Sequence, residues 1–210
     1  MGKRGGRRIR VTREVNLLFP TPLVRTNIGT DFDISNIEFE RNPENNGWFS
    51  LDEKYLDNNK KLKDRIDDEI EIYLREILKL KSNVYLKHQC SWVLLHKKGD
   101  HSQRHYHRNS WLSGVYYFNT REDSGSVEFY DQRSYGWTCG SMNPITEVEE
   151  LNSITANKYT IQPKAGDILL FPSKLEHISN PNQTDFDRVC VSFNYTLHGT
   201  WGSKTGRITI

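Results

Sequence analysis

A chain of 210 residues is long enough to bury a substantial core and most often makes one domain. Charged residues at 27% and aromatics at 11% suit a globular protein with a strand-rich interior, and no apolar run approaches the ~20 residues that span a bilayer. The net charge of +2 excludes a wholly basic nucleic-acid binder but is unevenly spread: Lys3, Arg4, Arg7, Arg8, Arg10 and Arg13 give residues 1–13 a charge of +6, while the other 23 basic residues face 27 acidic ones. Residues 1–13 therefore read as a basic flexible arm suited to acidic surfaces or nucleic acid, and residues 14–210 as one domain. The N-terminus lacks the apolar stretch of a secretory signal, so an intracellular, cytoplasmic location is expected. Cys90, Cys139 and Cys190 are odd in number and scattered, which argues for reduced thiols rather than a disulfide framework.

Glu14 to Phe19 and then Pro20 to Ile28 read as extended chain, with Pro20 and Pro22 confining it to an edge or a bend. Residues 29–59 are rich in Asn, Asp, Gly and Pro with isolated aromatics and predict loops and short pieces. From Lys60 to Lys81 the apolar residues Leu62, Ile66, Ile70, Tyr73, Leu74, Ile77 and Leu78 fall on one helical face, with Asn58 or Asn59 as cap and Ser82-Asn83 as stop. Val84 to Lys98 alternates as a strand and turns at Lys97-Lys98-Gly99-Asp100. Leu112 to Asn119 is a second strand, and the Gly-bearing turn Arg121 to Gly125 predicts a hairpin with a third, Ser126 to Asp131. Residues 132–157, with Trp137 and Met142, are long enough for a lid or binding loop. Strands at Lys158 to Gln162, Asp167 to Phe171 and Arg188 to Leu197 complete a β-rich second half. The fold class is therefore mostly β, a sandwich or jelly-roll barrel braced by one long helix in the N-terminal half.

His105 and His107 flank one residue, so an extended chain would place both imidazoles on one face, a natural pair of ligands for a divalent metal. A third imidazole follows the strand Asp167 to Phe171, where Pro172-Ser-Lys-Leu-Glu-His177 presents His177 at the far end. Arg188 then opens the last long strand. A lone histidine is usually structural, and His88, His96 and His198 are read so, with His101 solvated. The ordered set is more specific than any of its pieces.

That order, together with Ser113-Gly-Val-Tyr-Tyr117 and Leu18-Phe-Pro-Thr-Pro-Leu23, resembles the Fe(II)- and 2-oxoglutarate-dependent oxygenases, in particular a branch frequent in phages and marine bacteria. The resemblance spans most of the chain and implies a double-stranded β-helix with a cupin-like barrel. It implies Fe(II) held by His105, His107 and His177, and 2-oxoglutarate as co-substrate, decarboxylated to succinate as a C–H bond is hydroxylated. Arg188 stands where the family grips the far carboxylate, in keeping with its bidentate fork. Ser192 shares its strand face, and Tyr117 aligns with a tyrosine that bonds the same group in prolyl hydroxylases.

One departure leaves the third ligand open. Most of the superfamily carries an acid where His107 stands, so the site is either a three-histidine set or is completed by Asp131. The cupin spacing also fits: Gly99, five residues, His105-x-His107, then Gly166, five residues, Pro172, and His177. A cupin-type dioxygenase or isomerase has no use for Arg188, however, and Ser110-Trp111 stand where its glutamate belongs. A non-catalytic barrel in a phage or nucleic-acid-associated protein is the third reading. The substrate is unspecified; Trp111, Trp137 and the 132–157 loop would suit a peptide side chain, a nucleobase or a small metabolite.

Overall fold

The computed structural model of the chain describes residues 13–17, 19–43, 45–132, 148–150, 152 and 154–210. The basic arm apart from Arg13, together with Trp137, Cys139 and Met142 in the long connection, lies outside them. Among the described residues the strands form two antiparallel sheets. The larger runs in the order β1 (Val24–Asn27), β9 (Asp167–Pro172), β6 (Leu112–Asn119), β11 (Arg188–Trp201), β4 (Val84–His96), β3 (Gly47–Ser50) and β2 (Phe39–Asn42). β12 (Ile208–Thr209) pairs with the end of β11. The smaller sheet runs β5 (Ser102–His105), β10 (His177–Ser179), β7 (Val127–Tyr130) and β8 (Lys158–Ile161). From β4 to β11 the chain crosses repeatedly between the two sheets, which is the winding of a double-stranded β-helix.

Strand alternation sorts the residues of the larger sheet. Tyr116, Phe118, Ile168, Leu170, Val191, Phe193 and Tyr195 face outward and bury themselves against Leu62, Ile66, Ile70, Tyr73 and Leu74 of the helix. Tyr117, Leu169, Phe171, Leu94 and Cys190 face inward and meet Val127, Phe129 and Ile161 of the smaller sheet. One layer therefore serves both the helical brace and the barrel interior. Helix α1 (Tyr55–Asn58) precedes α2 (Lys60–Ile72), and the Asn59 side chain accepts from Leu62 N–H, satisfying one of the free donors of the first turn.

Three expectations need correction. The helix reaches only Ile77, ending in a π-helical turn, Tyr73–Ile77, after which Lys79 takes a φ of 55°; Ile77 is 43% exposed, while Leu78 and Leu80 still pack against the core. Arg121 to Gly125 does not make a hairpin. β6 and β7 belong to different sheets, and the turn, held by Arg121 N–H donating to Ser124 Oγ at 2.9 Å, carries the chain across the barrel. β5 and β10, of four and three residues, were not anticipated because they are too short and polar to show an alternation. Pro20 and Pro22 do lead into an edge strand, β1.

Ile66 is fully buried between helix and sheet. Ile66→Ala should cost about 2–5 kcal/mol of unfolding free energy in a urea titration. Ile77→Ala, at a position exposed on the last turn, should cost about 0.5 kcal/mol or less.

Candidate metal centre

β5 and β10 are neighbours in the smaller sheet, and their register sets His105 opposite His177. β5 ends at His105, so His107 lies just beyond the strand rather than on it. Its backbone N–H donates to Ser173 O at 2.8 Å, which ties the segment to the turn after β9. The ligand nitrogens of all three histidines lie within 4.8 Å of one another. Three neutral nitrogens so close suit a single divalent transition metal. The proton positions follow from the carbonyl groups nearby. His105 Nδ1 is 2.7 Å from Gln103 O and His177 Nδ1 is 2.8 Å from Leu175 O. A carbonyl only accepts, so each Nδ1 carries the hydrogen and each Nε2 keeps its lone pair.

Apolar rings wall this cluster. Phe171 and Phe129 stand 4.8 and 5.9 Å from the His177 ring, and Trp92 stands 6.3 Å from that of His107. Burial, with His105 and then His107 adding repulsion against the hydrogen bond to Leu175 O, holds the pKa of His177 down to about 3. Burial and then His105 hold His107 down to about 4. Both are therefore neutral ligands at physiological pH. Asp131 is not part of the group: among the described residues the three histidines are the one cluster able to hold a metal, and Asp131 N–H donates to Asn157 O.

Deeper in the barrel lies Arg188, 1% exposed. Its Nη1 donates to Gly125 O at 2.7 Å, and its Nη2 meets Ser179 Oγ on β10 and His96 Nδ1 on β4. Gly125 must be glycine here, since its φ is 99° and a Cβ would sit 2.4 Å from Arg188 Nη1. All of these partners are neutral. A buried guanidinium without a carboxylate is costly unless an anion completes it. Its Nε has no partner, and neither do His96 Nε2 and Trp92 Nε1; His88 Nε2, farther along β4, is the fourth such buried atom among the described residues. Since His96 Nδ1 accepts from Arg188, His96 Nε2 bears the hydrogen, so the first three orphans are all donors. β4 and β11 carry all three, and the strand pairing puts Arg188 opposite His96 and Ser192 opposite Trp92. That chemistry fits an oxygen-rich anion.

Tyr117, 2% exposed, lies on the same inner face, where burial pushes its phenol pKa up and keeps it protonated. Ser192 is half-buried and pairs with Val115 and Trp92. Trp111 packs instead at the margin of the outer core. His88 bonds Asp57 and His198 bonds Thr196, while His101, expected to be solvated, meets Asn46 at 3.0 Å. His96, read from the sequence as structural, instead contacts Arg188, a neighbour that spacing could not reveal. Only the antiparallel register of β4 and β11 brings it beside Arg188.

A family model described as "Putative 2OG-Fe(II) oxygenase" matches residues 90–194, half of the chain. Curated protein sequences give no match. Among solved structures, an oxidoreductase of the 2OG-Fe(II) oxygenase family from Burkholderia pseudomallei is similar over 83% of this chain and 84% of its own, with a TM-score of 0.57 and 10% identity. The alpha-ketoglutarate-dependent epimerase SnoN from nogalamycin biosynthesis aligns over 85% and 81%, with a TM-score of 0.56 and 12% identity. HygX from Streptomyces hygroscopicus, solved with nickel and 2-oxoglutarate, aligns over 84% and 83%, with a TM-score of 0.53 and 13% identity. At such identities the likeness is one of fold, and that fold is the double-stranded β-helix. The matched span holds His105, His107, His177 and Arg188 together, and the chain belongs to the family of oxygenases that use Fe(II) and 2-oxoglutarate.

Proposed function

We propose that the protein hydroxylates a C–H bond of its substrate, with His105, His107 and His177 holding Fe(II), and with Arg188, aided by Tyr117 and Ser192, seating the far carboxylate of 2-oxoglutarate. One observation carries this reading. A barrel that gathers three imidazole ligand nitrogens within 4.8 Å also buries an arginine with neutral partners alone. Bound iron and 2-oxoglutarate together supply an oxidant derived from O₂ that takes hydrogen from carbon, with succinate and CO₂ as by-products.

The residues divide the remaining work. Gln103 O and Leu175 O fix the His105 and His177 tautomers, so the Nε2 lone pairs stay available to the metal. Phe129, Phe171 and Trp92 keep water from the rings. An all-imidazole set carries no charge of its own, so the cation's full charge favours an anionic chelator. Arg188 fixes the other end of that chelator, and two-point attachment sets its orientation. A cupin-type enzyme would leave the Arg188 seat without purpose.

Anaerobic protein loaded with Fe(II) should develop a visible metal-to-ligand charge-transfer band on adding 2-oxoglutarate. His177→Ala should abolish it, and Arg188→Ala should raise the 2-oxoglutarate concentration needed by a hundredfold or so, the loss of a charge-assisted pair of about 3 kcal/mol. A wild-type protein without the band would overturn the proposal. Once a substrate is found, one ¹⁸O atom from ¹⁸O₂ in the product marks hydroxylation, and an unlabelled product marks epimerisation or ring closure instead.

The buried imidazoles also limit acid tolerance of the metal-free protein. His96, His107 and His177 have folded pKa values of about 3, 4 and 3 against about 6.5 when unfolded. The unfolded chain thus binds more protons, and stability, fully present above pH 6.5, should fall by up to about 1.4 kcal/mol per pH unit per histidine as the pH drops toward 4. Urea midpoints at pH 7.5 and 5.0 test this, and His96→Gln should reduce the difference.

A further inference from the structure

We propose that His96 is a positioning residue that keeps the Arg188 guanidinium turned and open for the far carboxylate of the co-substrate, and thereby sets the preference for a dicarboxylic keto acid; this rests on the oxygenase reading above. A guanidinium has five N–H donors. In Arg188 both hydrogens of Nη2 are engaged, by Ser179 Oγ and His96 Nδ1, and one of Nη1 is engaged by Gly125 O. The unpartnered Nε–H is left for a ligand. Removing the His96 acceptor would leave a strong buried donor unsatisfied, and the fork would turn to seek another partner, taking the Nε–H with it.

The other side of the ring makes His96 a wedge rather than a casual contact. Gly47 on β3 lies so close that a Cβ there would meet His96 Cδ2 at 2.8 Å and Nε2 at 2.9 Å. The ring is thus held between the β3 backbone and the arginine, and it cannot back away from Arg188. Its neutrality is maintained by burial first, then by the charges of Arg188, His101 and Arg41, so the Nδ1 lone pair is permanently offered. A protonated ring at this place would have no acceptor to give.

The test compares two keto acids on anaerobic, Fe(II)-loaded protein, reading affinity from the charge-transfer band. 2-Oxoglutarate carries the far carboxylate, and 2-oxopentanoate has a methyl group in its place. For His96→Leu, the Kd for 2-oxoglutarate should rise at least tenfold while that for 2-oxopentanoate changes less than twofold. His96→Gln, which restores an acceptor oxygen, should bind 2-oxoglutarate within about threefold of wild type. Gly47→Ala, which leaves both partners intact but presses on the ring, should weaken 2-oxoglutarate alone, and it decides the matter if His96→Leu does not fold. Folded His96→Leu or Gly47→Ala protein that binds 2-oxoglutarate as wild type does, or loses both keto acids equally, overturns the proposal. A wild-type protein that binds the two keto acids equally well overturns the Arg188 seat itself, and the role of His96 with it.

Discussion

The cost of burying an unneutralised guanidinium is the constraint that the rest of this barrel answers to. Arg188 is among the largest fully buried side chains, yet its contacts are a peptide carbonyl, a hydroxyl and a neutral imidazole. A charge held this way is tolerable because each of those dipoles points a lone pair at it, and it becomes comfortable only when an anion arrives. The neighbours follow from that need. Gly125 has no side chain because Arg188 Nη1 occupies the space, and Gly47 has none because the His96 ring does.

The histidine cluster is built on the opposite logic. Burial keeps His107 and His177 neutral, and the hydrogens of His105 and His177 are fixed by carbonyl groups that a strand edge and a turn provide without any further side chain. The barrel thus has two poles, one poor in charge and ready for a cation, the other rich in charge and ready for an anion. A short molecule with a chelating head and a carboxylate tail satisfies both at once, which is why the family membership and the local electrostatics point the same way.

Much of this was readable before any coordinates. The period of Leu62, Ile66 and Ile70 marked a helix, and its packing against outward residues of β11 and β6 agrees. β6 falls where its alternation put it, from Leu112 to Asn119. The order His105, His107, His177, Arg188 pointed to the family whose model matches the span that holds all four. What escaped was whatever depends on pairing. The turn at Arg121 to Gly125 has hairpin chemistry, but only the global winding decides whether the strands beside it share a sheet. His96 looked like one more residue of an apolar strand, because register between β4 and β11 is a property of the assembled sheet. β5 and β10 were too brief to carry a period at all.

β10 is three residues long, and both poles of the barrel hang on it: His177 at one end of the ribbon, Ser179 at the other, touching Arg188. So short a ribbon cannot move at one end without moving at the other, and the spacing between the imidazole cluster and the guanidinium is therefore set by a single stretch of backbone.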